Sequence, residues 1–251
     1  MAQIGFFINL LGARKGCTID SETRASRLES NLVTVFYKDS RNIYRVRELD
    51  ALEWLTHGFG TRHPNVPAMF ASLATAHQIH SVECIFGEGR SGALGKGDAL
   101  LEDTPGAVVA VKTADCVPIL LVDERRKVVA AVHAGWRGSA AGIARQAVKR
   151  MQERFGTRPE DLHAAIGPGI GECCYEVGPD VAARFGERAT TRVDLPAANR
   201  RQLLETGVRR ERVYIAELCT KCNPTDFHSF RREGEAAGRQ YSFAGIRLAV
   251  E

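Results

Sequence analysis

The chain is expected to fold as an α+β domain built on mixed β-sheets. The apolar, β-branched runs at 107–111, 117–122 and 128–132 are continuous rather than alternating, as in strands covered on both faces. Helix-length amphipathic stretches follow them without the regular spacing of a βαβ fold. At 251 residues the chain can bury a substantial core without needing a second domain.

Residues 1–50 form the least determined part, an N-terminal segment ahead of a catalytic domain at 51–251. Within it, 31–37 and 42–49 read as strands. Residues 82–86 make a short apolar strand, and the glycine-rich stretch 87–97 reads as a loop because neither GxxxxGK[ST] nor GxGxxG with its βαβ context is present. The three apolar runs come next, the last two separated by an Asp123-Glu124-Arg125-Arg126 turn. The clearest helix spans 139–155: Ile143, Ala147, Met151 and Phe155 recur on one face, Arg145, Lys149, Arg150 and Glu153 lie on the other, and Gly156 stops it. A buried strand at 162–166 leads into Gly167-Pro168-Gly169, and helices at 175–185 and 195–206 precede a last strand at 213–216.

Charged residues at 25% and apolar residues at 44% are ordinary for a soluble globular protein. The net charge of +4 is mild and spread out, which argues against a nucleic-acid surface; the basic runs at 41–47 and 200–212 read as solvated faces. No stretch reaches the roughly 18 apolar residues that span a bilayer. The apolar residues 4–11 lack a preceding basic region and a following cleavage site, so no export signal is read and the expected location is cytoplasmic. Seven cysteines in such a chain are expected to be reduced thiols, one of them a ligand.

Three short segments set soft metal ligands beside sharp turns: His77-Gln78-Ile79-His80-Ser81, Thr113-Ala114-Asp115-Cys116 and His133-Ala134-Gly135-Trp136-Arg137-Gly138. Imidazole and thiolate suit zinc or copper, and three protein ligands leave a fourth zinc position open. A mononuclear metal enzyme is therefore expected, with a Cys116–His133 nucleophile pair as its rival. Asp115 could orient a ligand imidazole or cap backbone amides in its turn. Arg137, at the mouth of the helix, is suited to a bidentate grip on phosphate or carboxylate. Trp136 could stack on a nucleobase or plug the core. Cys219-Thr220-Lys221-Cys222 and Cys173-Cys174 could in principle make a Cys₄ site, but adjacent cysteines are awkward chelators, so none is expected.

The segments HQIHS, GDALLEDTPG, TADCVPILLVD, VHAGWRG, IGPGIGECCYEVG and CTKCNPTDFHSFRREG, in that order from His57 to Arg239, resemble the YfiH family. That family is known as the laccase-domain or multicopper polyphenol oxidoreductase family, and also as purine nucleoside phosphorylase and peptidoglycan-editing proteins. The resemblance implies a layered fold, with central sheets flanked by helices and shared with cysteine-hydrolase-like domains. It puts His80, Cys116 and His133 on a metal, with Gln78 and Arg62 at matching positions for substrate contact. The stretch between Arg62 and His77 is shorter than the family pattern, which separates this chain from relatives that draw contacts there.

The activity implied first is phosphorolysis of adenosine, inosine or methylthioadenosine at a zinc site, with adenosine deaminase activity in the same site. The partners are then a small-molecule nucleoside and phosphate, with no nucleic acid and no membrane, in a monomer or small homo-oligomer. The alternatives are a Cys–His amidase acting on a peptidoglycan precursor and a copper-dependent polyphenol oxidase. Seven histidines, three of them in the three segments with soft metal ligands, are few for laccase chemistry.

Overall fold

The runs at 117–123 and 128–134 are buried at every position because each strand lies between two layers. The computed structural model describes residues 35–187 and 191–248. In chain order the first strands are β1 (Phe36–Lys38), β2 (Ile43–Val46), β3 (Leu55–Gly60), β4 (Leu73–His77), β5 (Cys84–Phe86), β6 (Gly92–Lys96) and β7 (Ala99–Glu102). They are followed by β8 (Val108–Thr113), β9 (Val117–Asp123), β10 (Val128–Ala134), β11 (Leu162–Ile166), β12 (Val213–Ile215) and β13 (Gln240–Ile246). One sheet has the order β1-β2-β3-β13-β8-β4-β6 and the other β12-β11-β9-β10-β7-β5. Both are mixed: β4 runs parallel to β8 and β6, and β5 to β7, within otherwise largely antiparallel ladders.

Alternate residues of the central strands face two different cores. Leu120, Val122, Val129 and Ala131 meet Val109, Val111 and Ala244 between the sheets. Ile119, Leu121, Ala130 and Val132 meet Ile143, Ala147 and Met151 of the helical layer. A third cluster, with Ile43, Ala110 and Phe243, covers the outer face of the first sheet. Burying each Leu, Ile or Val side chain contributes roughly 1.5–3 kcal/mol, so the crossing between β8 and β9, where the site lies, rests on a stiff base. The α+β class and the layered arrangement read from the sequence are those of the structure.

The helices are α1 (Arg47–Asp50), α2 (Trp136–Ala141), α3 (Ile143–Phe155), α4 (Pro179–Ala183), α5 (Leu195–Glu205) and α6 (Phe230–Glu233). Several elements differ from the sequence reading, each for a local reason. The helix expected from 139 starts at Trp136 and breaks at Gly142, whose φ of 89° lies in the left-handed region that glycine tolerates. The helix expected at 175–185 shrinks to α4, which Pro179 opens at its first turn. The loop expected at 87–97 contains β6, an exposed edge strand whose pairing with β4 leaves no hydrophobic signature. Residues 36–50, in the segment the sequence left least determined, supply β1, β2 and α1. Most of the strand read at 31–37 lies outside the described residues. Among the described residues no helix is long and apolar enough to cross a membrane.

Candidate metal centre

β8 and β9 belong to different sheets, so the turn at 114–116 passes from one to the other and delivers Cys116 into the gap between them. His133, next to last in β10, arrives from the neighbouring strand, and His80 from the loop after β4. The three ligand atoms all lie within 4.8 Å of one another, with Cys116 Sγ 4.0 Å from His80 Nε2. The two imidazoles meet edge-on, 4.9 Å between centroids. Ligand atoms around a tetrahedral zinc at ~2.0–2.3 Å stand about 3.5 Å apart, so a small closure of this trio would hold the ion.

One carboxylate sets both histidines. Asp98 is fully buried at the start of the β7 run. It accepts hydrogen bonds from His133 Nδ1 (2.8 Å), the amides of Ile79 (3.3 Å), His80 (3.0 Å) and Ser81 (2.7 Å), and the Ser81 hydroxyl (2.8 Å). Its own carbonyl takes the His133 amide at 2.7 Å. This network holds His80 at a φ of 60°, an uncommon backbone state for a non-glycine residue. It also fixes the His133 tautomer with Nδ1 toward Asp98, leaving Nε2 for the centre. Burial opposes ionisation of Asp98, but the His133 and Ser81 hydrogen bonds outweigh it and hold the carboxyl at about 2. Burial likewise opposes the His133 imidazolium, yet Asp98 and Cys116 raise it to about 9. Burial resists the Cys116 thiolate too, and hydrogen bonds from His133 and His80 still lower it to about 6.

Asp98 stands in the GDALL segment, but nothing in the sequence singled it out as chemistry; an acid heading a wholly buried run was the available signal. Asp115, weighed for orienting an imidazole or capping amides in its own turn, instead reaches residues far along the chain. Its carboxylate accepts from the Thr220 hydroxyl and the Arg231 amide, both at 2.6 Å, and so ties the Cys116 turn to the late loop.

Gly135 has a φ of −70°, which any residue adopts, so its value lies in the missing Cβ. A Cβ there would sit 2.9 Å from His80 Cδ2 and 3.0 Å from Cys116 Sγ. Gly135→Ala is therefore expected to keep the fold but weaken any metal binding by the trio at least tenfold, comparable to losing a ligand's orienting partner. Circular dichroism and competition with a chromogenic chelator check both halves.

The trio opens into a cavity of about 620 Å³ whose walls include His77, Gln78, Lys112, Trp136, Tyr175 and Phe230. Gln78 donates its amide to the Lys112 carbonyl and accepts from the Lys112 amide, both at 2.8 Å, which clamps the His80 loop against β8. Thr113 also lines the cavity, and its buried hydroxyl has no partner among the described residues. Arg231 and Arg239 bring positive charge to the wall beside Lys112. Arg137 is outside it: the side chain is exposed, with Cζ 4.5 Å from the Trp136 ring centroid. Arg62 is outside as well, bonded to the Pro224 carbonyl at 2.7 Å and lying 3.6 Å from Glu233. The structure thus brings His80, Cys116, His133 and Gln78 together around one cavity and leaves Arg62 and Arg137 off its wall. It also gathers Cys173, Cys174, Cys219 and Cys222, their sulfurs within 4.8 Å of one another, against the expectation that adjacent cysteines would not share a centre.

The profile of the family described as multi-copper polyphenol oxidoreductase laccase matches residues 63–247. The chain belongs to this family. A purine nucleoside phosphorylase of Deinococcus radiodurans is 38% identical over 184 residues, covering 69% of this chain and 70% of that one. Adenosine deaminase RL5, from an unknown prokaryotic organism, is 39% identical over 59% of this chain and 61% of its own length. Other curated relatives are spanned over as little as 58% of their length. The crystal structure of YlmD from Geobacillus stearothermophilus superposes with a TM-score of 0.77 at 28% identity, over 86% of this chain and all of that one.

Proposed function

We propose that the protein is a zinc-dependent purine nucleoside phosphorylase acting on adenosine, inosine or methylthioadenosine, with adenosine deaminase activity in the same site. The observation that carries this reading is the His80–Cys116–His133 trio facing a cavity lined by aromatic and cationic side chains. Relatives named as purine nucleoside phosphorylase and adenosine deaminase support it. A cavity of about 620 Å³ is within the roughly 300–1,000 Å³ of small-molecule sites. Tyr175, Phe230 and Trp136 offer ring faces for a purine, and Lys112, Arg231 and Arg239 offer charge for phosphate. A zinc ion on three ligands would supply a Lewis acid with one open position. Around it, the chain's part is to hold the histidines through Asp98, keep Cys116 as thiolate, and fix the His80 loop through Gln78.

The donor set His₂Cys also suits copper. Neither Met69 nor Met151 lines the cavity to provide the weak axial sulfur of an electron-transfer site, and no second histidine cluster is present among the described residues. The Asp98–His133–Cys116 chain does favour a second reading, a Cys–His amidase with Cys116 as nucleophile and His133 as base.

Products decide between them. Incubation with adenosine should yield adenine and ribose 1-phosphate only when phosphate is present, and inosine without it. Release of ammonia or an amine from an amide substrate, with nucleosides untouched, would support the amidase instead. Arg231→Lys is expected to weaken phosphate use about 10- to 150-fold, since a charge-assisted hydrogen bond is worth roughly 1.5–3 kcal/mol and lysine loses the planar grip. Arg137→Lys should weaken it less. Steady-state rates with phosphate varied at fixed adenosine give both numbers.

A further inference from the structure

We propose that Cys173, Cys174, Cys219 and Cys222 form a second metal site, closed and structural, that takes one zinc ion. Their four sulfurs lie within 4.8 Å of one another. Cys222 Sγ is 3.6 Å from Cys173 Sγ and 3.4 Å from Cys174 Sγ, so it faces both neighbours at once rather than pairing with one. A ZnS₄ tetrahedron with bonds of ~2.3 Å has sulfur–sulfur edges of about 3.8 Å, and the cluster is already close to that size.

Two turns built by the backbone make this convergence. After β11, the amides of Cys174 and Tyr175 both return to the Gly171 carbonyl, at 2.9 and 3.0 Å, which curls the chain so that adjacent cysteines present their sulfurs to one centre. In the late loop the Asn223 amide returns to the Cys219 carbonyl at 3.2 Å, and its side chain donates to the same oxygen at 2.7 Å, bringing Cys219 and Cys222 to one side. A bridge between Gly169 and Cys219 sets the two turns side by side, with the Thr220 amide on the Gly169 carbonyl at 3.0 Å. Gly171 lies against the cluster: a Cβ there would come within 3.4 Å of Cys173 Sγ and 3.7 Å of Cys219 Sγ. Arg192 donates to the Cys173 carbonyl at 2.9 Å, placing positive charge beside what would be an anionic ZnS₄ centre.

Four protein ligands leave no open position, so the role is to fasten, not to react. The first turn carries Ile170 and Tyr175, and the second runs on to Phe230 and Arg231, all on the cavity wall. Between β12 and β13 the chain has only short helical turns. A metal here would add a further clamp between two loops that the Gly169–Cys219 bridge already sets side by side, and soft thiolates favour zinc over harder cations.

Zinc per chain measured on purified protein tests this, alongside two variants that each empty one site. Wild type should hold about two zinc ions, Cys222→Ser and His133→Ala about one each, and the double variant none. X-ray absorption of His133→Ala should show the remaining zinc surrounded by sulfur at ~2.3 Å with no nitrogen shell, which settles the matter even if Cys222→Ser does not fold. Zinc–nitrogen scattering in His133→Ala, or equal zinc in wild type and Cys222→Ser, would overturn the proposal. So would loss of two of the seven thiols in the denatured chain, which would put a disulfide in the metal's place.

Discussion

If the trio binds zinc as proposed, Cys116→Ser and His133→Ala are each expected to abolish that binding, and turnover with it. A serine hydroxyl is nearly isosteric with the thiol but is not ionised near neutral pH, whereas Cys116 is already held at about 6 by its two histidines. Two remaining ligands rarely hold a catalytic zinc. The loss of affinity should therefore exceed the roughly 10- to 100-fold that follows removal of a ligand's hydrogen-bond partner. Equilibrium dialysis against zinc and product formation from adenosine, measured on the same preparations, check the two losses together. Full zinc occupancy in an inactive Cys116→Ser would instead make the thiol a nucleophile.

The second large effect belongs to a residue that touches no metal. Asp98→Asn keeps the shape of the side chain but sets an NH₂ among donors, because every group around that carboxylate is an N–H or an O–H. Zinc affinity is expected to fall about 10- to 100-fold as His133 and His80 lose their common support. Stability of the metal-free protein should fall by about 3 kcal/mol, the upper range for a buried hydrogen bond to a charged group. The pH dependence has a definite sign. Asp98 is depressed from its ordinary 3.8 to about 2, so its contribution is present above 3.8 and is lost as pH falls through 2. His133 is raised from 6.5 to about 9, so its contribution is present below 6.5 and is lost as pH rises through 9. The stability gap between metal-free wild type and Asp98→Asn should therefore be widest between 3.8 and 6.5 and narrow on both sides. Denaturant unfolding at a series of pH values would show it, and a gap that grows steadily toward pH 10 would contradict the Asp98–His133 pairing.

The convergence of His80, Cys116 and His133 was legible because each stands in a short segment that pairs a soft donor with turn-forming neighbours. The strands that flank Cys116 and carry His133 were legible because burial on both faces leaves continuous apolar runs. Asp98 was hidden, since its partners lie at 79–81 and at 133 and no local pattern links them. The reach of a long side chain is hidden in the same way: Arg62 and Arg137 sit in telling motifs, yet contacts with the 224 loop and with Trp136 draw them off the cavity wall. Spacing misled at Cys173 and Cys174, where a single backbone turn, not the interval between residues, decides which way the sulfurs point. The break at Gly142 was written in the sequence as a glycine, but amphipathic periodicity runs on across it and masks it.

In the proposed function, metal at His80, Cys116 and His133 makes nucleoside turnover possible. The most direct measurement is the rate of ribose 1-phosphate formation from adenosine and phosphate by protein stripped of metal and then resupplied with zinc. A rate near zero is expected for the stripped protein, recovered as zinc is restored in wild type and never recovered in Cys116→Ser. Full turnover by the stripped protein would contradict it and leave Asp98, His133 and Cys116 as a metal-independent relay.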